Sequence, residues 1–382
     1  MSSIYHTIVI GSGVAGCCAA YFLKQRGVSV LLLDRSSVAA SGGSGAAGAF
    51  VSPKIGKGSP LQELTNEAFE FAKDFYLQNF PKYFHQTSIL RIPKDIDDAQ
   101  KFPEYKKYNL SKYETIDSKT IRGFGIDEEL DSFLFEEAGV CDAPGLTRAI
   151  WDQLPHEQFR VDELKHNGDC WVLSNTESSN RYRAENIILA TGYQNDLLDM
   201  RYMGVRGTWG SRGDYYSSLP LSISMHKSIS ISANIDGIIK IGATHVKSQE
   251  PCLACKGEPL GKLFQTASKM VNTDDFRLKG TYCGMRAGSK DYFPLVGRVV
   301  DTQYMLEKYP AITRGSSPSL KYHKNLYICN GLGGRGFVFA PLMGKELAAH
   351  ILSETTMDSR MDPDRLFLRW CRKDPSLRNN KK

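Results

Sequence analysis

The pattern of apolar and polar positions at the start of the chain predicts a strand, a turn, a helix and a second strand. Residues 7–10 form a short apolar run that ends in a glycine-rich turn. Alanine and other apolar residues then recur at helical spacing over residues 14–26, and residues 28–33 form another apolar run. This order is typical of half of a doubly wound α/β sheet.

The rest of the chain predicts further helices and a second sheet. Residues 222–244 alternate between apolar and polar positions around the turn sequence at 234–237, which is a hairpin signal. Residues 84–140 are irregular and charged, and Pro93 and Pro103 interrupt them, so a second domain is expected to begin there. Periodicity also predicts helices at residues 61–80, 145–154 and 341–353 and strands at residues 170–173, 186–190 and 325–329.

The composition is that of a globular protein with a full core. The chain has 382 residues, of which 41% are hydrophobic and 24% charged, which is enough for two domains. Its apolar runs are far shorter than the about 20 residues that cross a bilayer, and no Lys or Arg precedes the first run as in a secretory signal. We therefore expect a cytoplasmic protein without a membrane segment. The net charge of +6 would suit a polyanionic partner if it were concentrated on one face.

The nine cysteines show no spacing typical of a disulfide framework, so reduced thiols are expected. Cys252 and Cys255 form a CxxC pair, but a zinc site needs four ligands and there is no second CxxC. His245 is the nearest residue that could add a third ligand. We therefore predict no metal site.

A glycine motif follows the first predicted strand. Gly11, Gly13 and Gly16 are spaced as in dinucleotide-binding folds, and Asp34 stands at the end of the next strand. In such motifs the first glycine permits a tight turn, the second lets a pyrophosphate approach the backbone, and the third allows the helix to pack closely. The helix N-terminus offers N–H groups to the pyrophosphate. The strand, the helix and the acid together argue against a chance glycine turn.

Three further segments indicate that the nucleotide is FAD rather than NAD. They are the small-residue loop at 41–48, the strand end at 190–192 and the glycine cluster at 331–336. Each could be an ordinary turn, but a long cofactor needs several sites of close approach, and a helix N-terminus after Gly336 would favour a reduced, anionic flavin. The predicted FAD-binding residues are Gly11, Gly13, Val14, Ala15, Gly16, Asp34, Arg35, Ser41, Gly42, Ser44, Ala49, Val161, Thr191, Gly192, Gly331, Gly333, Gly334, Arg335 and Gly336.

These segments divide the nucleotide domain into separate pieces of the chain. The predicted fold is α/β, with a discontinuous Rossmann-like FAD-binding domain at residues 1–84, 141–212 and 284–382. A substrate-binding domain of the α+β kind, with a mainly antiparallel sheet, is predicted at residues 85–140 and 213–283.

The motifs resemble those of the D-amino acid oxidase and glycine oxidase superfamily over nearly the whole chain. Within it, the sequence resembles the FAD-dependent oxidase half of MnmC, the bifunctional enzyme of 5-methylaminomethyl-2-thiouridine biosynthesis in tRNA. The segments that carry the resemblance are residues 11–16 with Asp34, 40–49, Ser52-Pro53-Lys54, 190–192, Arg286-Ala287, 293–297, 331–336 and Ala340-Pro341-Leu342.

The resemblance implies a reaction. It would be the oxidative removal of the carboxymethyl group from 5-carboxymethylaminomethyl(-2-thio)uridine at the tRNA wobble position, giving the 5-aminomethyl base and glyoxylate. The glycine motif begins at residue 11, without room for a methyltransferase half, so a separate methyltransferase is expected to act downstream. The main alternative is an oxidase or dehydrogenase of a small free amine such as glycine or sarcosine. A non-catalytic flavin-binding protein is the second alternative, and the oligomeric state stays open.

Arg286 is the leading substrate-binding candidate. It lies just before residues 291–297, where the resemblance to glycine oxidases places the arginine that binds the substrate carboxylate. A planar guanidinium binds a carboxylate through two hydrogen bonds and would fix the adjacent methylene over the flavin. The alternative is a structural salt bridge. Cys283 lies one position from the flavin attachment site of sarcosine oxidases, and this offset argues for non-covalent FAD.

Other basic residues have several possible roles. Arg335, a tentative catalytic residue, could approach the flavin, bind the substrate carboxylate or anchor its glycine loop. Lys54 and Lys57 could meet a phosphate, although solvent exposure is favoured. A tRNA anticodon loop would need a basic surface with aromatic side chains for unstacked bases. Residues 105–113 and 365–382 combine such residues, and a solvated loop and a solubilising tail are the alternatives.

Overall fold

The computed structural model describes residues 4–194, 196–247 and 258–377. Within this part, the strands are β1 (Ile4–Ile10), β2 (Val30–Asp34), β3 (Phe50–Val51), β4 (Phe84–His85), β5 (Ile89–Arg91), β6 (Glu114–Ile116), β7 (Ser132–Phe135), β8 (Gly139–Cys141), β9 (His156–Gln158), β10 (Glu163–His166), β11 (Trp171–Ser174), β12 (Arg181–Leu189), β13 (Arg206–Tyr216), β14 (Ser224–His226), β15 (Ser230–Ile231), β16 (Ile238–Gly242), β17 (Arg277–Gly288), β18 (Leu295–Val300) and β19 (Tyr322–Asn330). The helices are α1 (Val14–Gln25), α2 (Pro60–Asn79), α3 (Ile96–Ala99), α4 (Phe102–Lys106), α5 (Ser118–Gly123), α6 (Ala143–Trp151), α7 (Glu258–Ala267), α8 (Thr302–Lys308), α9 (Gly336–Ile351) and α10 (Phe367–Lys373).

The first sheet is the nucleotide-binding layer predicted from the start of the chain. Its parallel strands lie in the order β9, β2, β1, β12 and β19, and β18 joins β19 in the antiparallel direction. Along β1, Val9 belongs to one apolar core, whereas Ile8 and Ile10 belong to the core on the other face. Because both faces are covered, these strands read as continuous apolar runs.

Small residues let the helices on one face pack closely. A Cβ added to Gly344 in α9 would lie 2.7 Å from the backbone of Cys18 in α1. A Cβ on Gly16 would lie 1.9 Å from the carbonyl oxygen of Gly11, so α1 could not approach β1 with any larger residue there. The third glycine of the motif therefore serves helix packing, as its position predicts.

Helix α9 begins at Gly336, five residues before the predicted start at Pro341, which lies inside the helix. Proline has no N–H to donate to the carbonyl four residues earlier, which here belongs to Phe337. The Tyr76 hydroxyl donates a hydrogen bond to that carbonyl at 2.8 Å. A side chain from α2 thus satisfies the acceptor that Pro341 leaves open.

The second sheet has the strand order β17, β13, β16, β15, β14, β5, β7, β6, and β3, β8 and β4 form a small third sheet. Its pairs are antiparallel except for β14 with β5. The predicted hairpin turn at 234–237 joins β15 to β16. The domain boundaries predicted after residues 212 and 283 fall inside β13 and β17, which pair along their whole length. Because one ladder of hydrogen bonds runs through both positions, the second sheet already includes β13 from Arg206 onward and continues along β17 as far as Gly288.

Among the described cysteines, Cys283 departs from the expectation of reduced thiols. Cys283 is disulfide-bonded. The predicted CxxC pair, Cys252 and Cys255, lies outside the described residues. No helix in the described ranges is both long and apolar enough to cross a membrane. The cysteines that are free and buried are Cys17, Cys18, Cys141, Cys170, Cys329 and Cys371.

Candidate active site

A cavity of about 1090 Å³ opens at the carboxyl ends of the parallel strands and reaches the second sheet. Ligands of open α/β sheets bind at this edge. Of the predicted FAD-binding residues, Gly16 alone lies outside the cavity wall, because it faces the carbonyl of Gly11 instead. The predicted residues that line the cavity are Gly11, Gly13, Val14, Ala15, Asp34, Arg35, Ser41, Gly42, Ser44, Ala49, Val161, Thr191, Gly192, Gly331, Gly333, Gly334, Arg335 and Gly336.

At the nucleotide end, hydrogen bonds fix the Asp34 carboxylate. Ser12 donates its backbone N–H and its hydroxyl to Asp34 Oδ2, at 2.7 and 2.9 Å. The backbone N–H of Ser36 donates to Oδ1 at 2.8 Å. Gly11 has a φ of 110°, and a Cβ there would lie 2.4 Å from the carbonyl oxygen of Ala190. Only glycine lets the ends of β1 and β12 meet beside this carboxylate.

The small-residue loop, residues 41–48, joins the glycine motif to the second sheet. Ser44 Oγ accepts a hydrogen bond from the N–H of Val14 at 3.0 Å. On the other side, a Cβ on Gly43 would lie 2.5 Å from the carbonyl oxygen of Met285 in β17. The buried Arg212 donates to the carbonyl of Ala47 and forms an ion pair of 2.8 Å with Asp214. The loop is therefore held against both sheets.

Arg286 reaches the cavity from β17. Its Nη1 donates to the carbonyl oxygen of Thr244 at 3.1 Å. A Cβ on Gly210 would lie 2.2 Å from its Nη2, so a larger residue at this point of the neighbouring strand would displace the guanidinium. Burial lowers the pKa of Arg286. The salt bridge weighed as its alternative role is absent from the described part of the chain, which leaves the guanidinium able to bind a carboxylate.

Arg335 and Lys54 lie in the same cavity wall. Arg335 donates from Nη1 to the carbonyl oxygen of Ser52 at 3.2 Å, and burial with the nearby Arg91 lowers its pKa to about 10. Burial, Arg335 and Arg91 also lower the pKa of Lys54. The favoured solvent-exposed position is therefore wrong for Lys54. It describes Lys57, which is exposed and pairs with Glu104 at 2.7 Å.

Tyr292 is a cavity residue that sequence reasoning missed. Its φ is 68° and it is 77% exposed, so a bulky residue holds a strained backbone at the cavity wall. The adjacent Asp291 accepts two hydrogen bonds from Arg365, at 2.9 and 3.0 Å. This ion pair fixes the loop that presents the tyrosine ring. No local pattern marks a left-handed tyrosine, so the sequence gives little signal for it.

The two basic segments proposed to meet tRNA are partly structural. Arg365 is used in the ion pair with Asp291, and Phe367 in α10 is fully buried, so this stretch is no solvated tail. Tyr113 packs on Phe133 with ring centroids 4.9 Å apart, and Lys112 pairs with Glu136 at 3.1 Å. Residues 378–382 lie outside the described part.

The described residues include no group of three or more His, Cys, Asp and Glu side chains placed to hold a metal. His245, weighed as a zinc ligand, lines the cavity and accepts or donates a hydrogen bond at Nδ1 with the carbonyl of Ala243, at 3.1 Å. Burial, and then the nearby Arg286, lower the pKa of His245.

The two sheets, the glycine motif and the cavity define a flavoprotein of the Rossmann-like class. The chain belongs to the family of FAD dependent oxidoreductases (DAO), whose model matches residues 6–350. This match confirms the predicted FAD-dependent oxidoreductase.

The chain is similar in sequence to the bifunctional MnmC proteins of two bacteria. The bifunctional protein MnmC of tRNA 5-methylaminomethyl-2-thiouridine biosynthesis from Campylobacter concisus is 24% identical, covering 96% of this chain and 60% of that protein. MnmC from Legionella pneumophila is 24% identical over 92% of this chain and 54% of its own length. The chain thus spans less than two thirds of these relatives.

Solved structures show the same fold. Glycine oxidase from Bacillus cereus has a TM-score of 0.77 at 19% identity, covering 92% of this chain and 96% of its own. L-proline dehydrogenase from P. horikoshii also has a TM-score of 0.77, at 15% identity, covering 96% of this chain and 98% of its own. The likeness of these structures supports the architecture predicted from the sequence. At such low identity it shows the fold alone.

Proposed function

We propose that this protein oxidises the carboxymethyl group of 5-carboxymethylaminomethyl(-2-thio)uridine at the tRNA wobble position. The observation that carries the proposal is Arg286, a half-buried guanidinium in the cavity with no acidic partner among the described residues. Such a group is suited to a substrate carboxylate. The MnmC relatives, whose names specify tRNA, support the nucleoside part of the substrate.

The cavity fits non-covalent FAD. The open helix N-terminus at Gly13, the fixed Asp34 carboxylate and the glycine loops supply what its diphosphate, ribose and ring system need. Cys283 is disulfide-bonded, so it has no free thiol for a flavin linkage. FAD bound here would accept a hydride from the substrate methylene.

Arg286 and Arg335 would prepare the substrate for that step. Arg286 would bind the carboxylate and hold the adjacent methylene in one orientation, which is the main catalytic contribution of such a site. The positive charge of both arginines would also lower the pKa of the substrate amine, so that its nitrogen carries the lone pair that the oxidation requires. Water then hydrolyses the resulting C=N bond, and the products are the 5-aminomethyl base and glyoxylate.

The exposed ring of Tyr292 suits an unstacked base of an anticodon loop, because aromatic faces stack on extruded bases. The enzyme would act on tRNA in the cytoplasm. A separate methyltransferase would then methylate the amine.

Product analysis tests the proposal. The holoenzyme is incubated with tRNA that carries the carboxymethylaminomethyl group, and the nucleosides and glyoxylate are measured. We expect conversion to the aminomethyl nucleoside with one glyoxylate per tRNA. Glyoxylate from glycine or sarcosine, with no change in the tRNA, would instead favour the small-amine alternative.

A further inference from the structure

A recess of about 130 Å³ adjoins the cavity and is rich in positive charge. We call it the cationic recess. It shares part of its wall with the main cavity, so a ligand in one can extend into the other. Its lining residues are Ser52, Pro53, Lys54, Ile55, Ile89, Arg91, Phe135, His226 and Arg335.

Pairing of two distant strands builds one side of the cationic recess. Arg91 at the end of β5 is the register partner of His226 at the end of β14, in the parallel pair of the second sheet. The Nδ1 of His226 shares a hydrogen bond of 2.7 Å with Ser230 Oγ. The side chain of His226 is exposed to solvent, and its pKa is lowered by desolvation within the sheet and then by Arg91 and Arg335. Its second nitrogen can then donate to or accept from a ligand.

The charges of the cationic recess are poorly compensated. Lys54 and Arg335 form no ion pair with a carboxylate of the described residues, and Arg91 has Asp98 at 3.9 Å. The mutual repulsion and burial of these cations lower the pKa of Lys54 and Arg335. Holding like charges together in a partly dry site is costly unless an anion joins them.

We propose that the cationic recess binds a phosphate group of the nucleotide substrate, while Arg286 binds the carboxylate on the base. This inference rests on the proposed function and adds a second anchoring point to the same site. A phosphate offers several acceptor oxygens, which suits converging donors from Lys54, Arg91 and Arg335. Two separate anion sites would distinguish a nucleotide from a small amino acid, which has only the carboxylate.

The test compares three substrates in three forms of the holoenzyme. The substrates are 5-carboxymethylaminomethyluridine, its monophosphate and an anticodon stem-loop that carries it. The forms are wild type, Lys54→Gln and the control Lys57→Gln. The control removes the same charge from Lys57, an exposed lysine three positions after Lys54. Flavin content and melting temperature establish that each form is folded.

We expect wild type and Lys57→Gln to favour the monophosphate over the nucleoside about tenfold in kcat/KM, which corresponds to about 1.4 kcal/mol. Lys54→Gln should lose most of that preference, and its kcat/KM for the stem-loop should fall by a similar factor. If Lys54→Gln lowers kcat/KM equally for the nucleoside and the monophosphate, the recess does not bind phosphate and the inference is overturned.

Binding of phosphate separates this inference from the proposed function. If none of the three substrates reduces the flavin, the proposed function fails. The recess is then decided by titrating the holoenzyme with inorganic phosphate and with uridine monophosphate while following the flavin absorption. An absorption change whose dissociation constant rises about tenfold in Lys54→Gln, but not in Lys57→Gln, supports the phosphate site. No change in wild type, or an equal change in all forms, contradicts it. Response to inorganic phosphate alone would indicate free phosphate as the ligand and overturn the assignment to a nucleotide.

Discussion

Arg286 is positioned by backbone and by missing side chains. The carbonyl of Thr244 accepts its hydrogen bond at 3.1 Å, and Gly210 leaves space for its guanidinium. An acid in that place would have neutralised the charge that a substrate carboxylate needs. The strand pairing of β13 with β17 thus prepares the arginine for binding.

Replacing Arg286 should weaken the binding of the carboxylated substrate. We expect Arg286→Lys to raise KM roughly tenfold or more, because a lysine cannot form the two-pronged pair, worth about 1.5–3 kcal/mol. The value of kcat should also fall, since the methylene is less well oriented. Steady-state kinetics provide the measurement, with Arg277→Lys at the exposed start of β17 as the control. Unchanged KM and kcat would refute the assignment.

Asp362 gives a prediction for pH. Burial, with the nearby Asp364, raises its pKa to about 6, whereas an unfolded aspartate titrates near about 3.9. Between these values the native state holds a proton that the unfolded state has released. The contribution of Asp362 to stability is therefore full below about pH 4 and lost as the pH rises through 6.

We expect Asp362→Asn to remove this loss. The amide oxygen can still accept the hydrogen bond from the N–H of Asp364, now at 3.3 Å. Above pH 6 the variant should be more stable than wild type by on the order of 1–3 kcal/mol. Thermal unfolding from pH 4 to 8, with the exposed Asp274→Asn as control, measures the difference. Parallel profiles for Asp362→Asn and wild type would rule it out.

At the scale of elements, the small-residue loop controls how the sheets enclose the cofactor cavity. Gly43 lies so close to β17 that a Cβ would be 2.5 Å from the carbonyl oxygen of Met285. Backbone cannot move aside as a flexible side chain can, so any larger residue must displace the loop.

Gly43→Ala should therefore lower the affinity for FAD by about tenfold or more, with a smaller loss of melting temperature. The affinity is measured by fluorescence titration of the apoprotein with FAD. Gly261→Ala is the matched control, since nothing lies within 4 Å of a Cβ there. Equal FAD affinity in both variants would show that the close contact is unimportant.

Elements with a strong local signal were predictable from sequence. The motif from β1 to β2, the helix α2 and the hairpin turn at 234–237 lie where periodicity places them. The predicted domain boundaries after residues 212 and 283 fall inside β13 and β17, because the alternating pattern of a long strand does not reveal which sheet it joins. The early start of α9 was missed because proline normally begins or breaks a helix, whereas Tyr76 here satisfies the freed carbonyl.

At the scale of the whole molecule, the site lies where two sheets meet. The glycine motif, the loop at 41–48 and the late glycine cluster could be assigned to it from sequence, since each has its own pattern of small residues. Arg91 and His226 could not, because only the parallel pairing of β5 and β14 brings them beside Lys54. Charged side chains in short strands carry no periodic signal of that pairing.

Anaerobic reduction of the bound flavin shows which substrate this protein oxidises. The holoenzyme is mixed without oxygen with tRNA bearing the carboxymethylaminomethyl group, with the same tRNA lacking it, and with glycine and sarcosine. We expect the modified tRNA to bleach the flavin absorption fastest at equal concentration and the unmodified tRNA to leave the flavin oxidised. Rapid reduction by glycine or sarcosine, with no reduction by the modified tRNA, would contradict the proposed function.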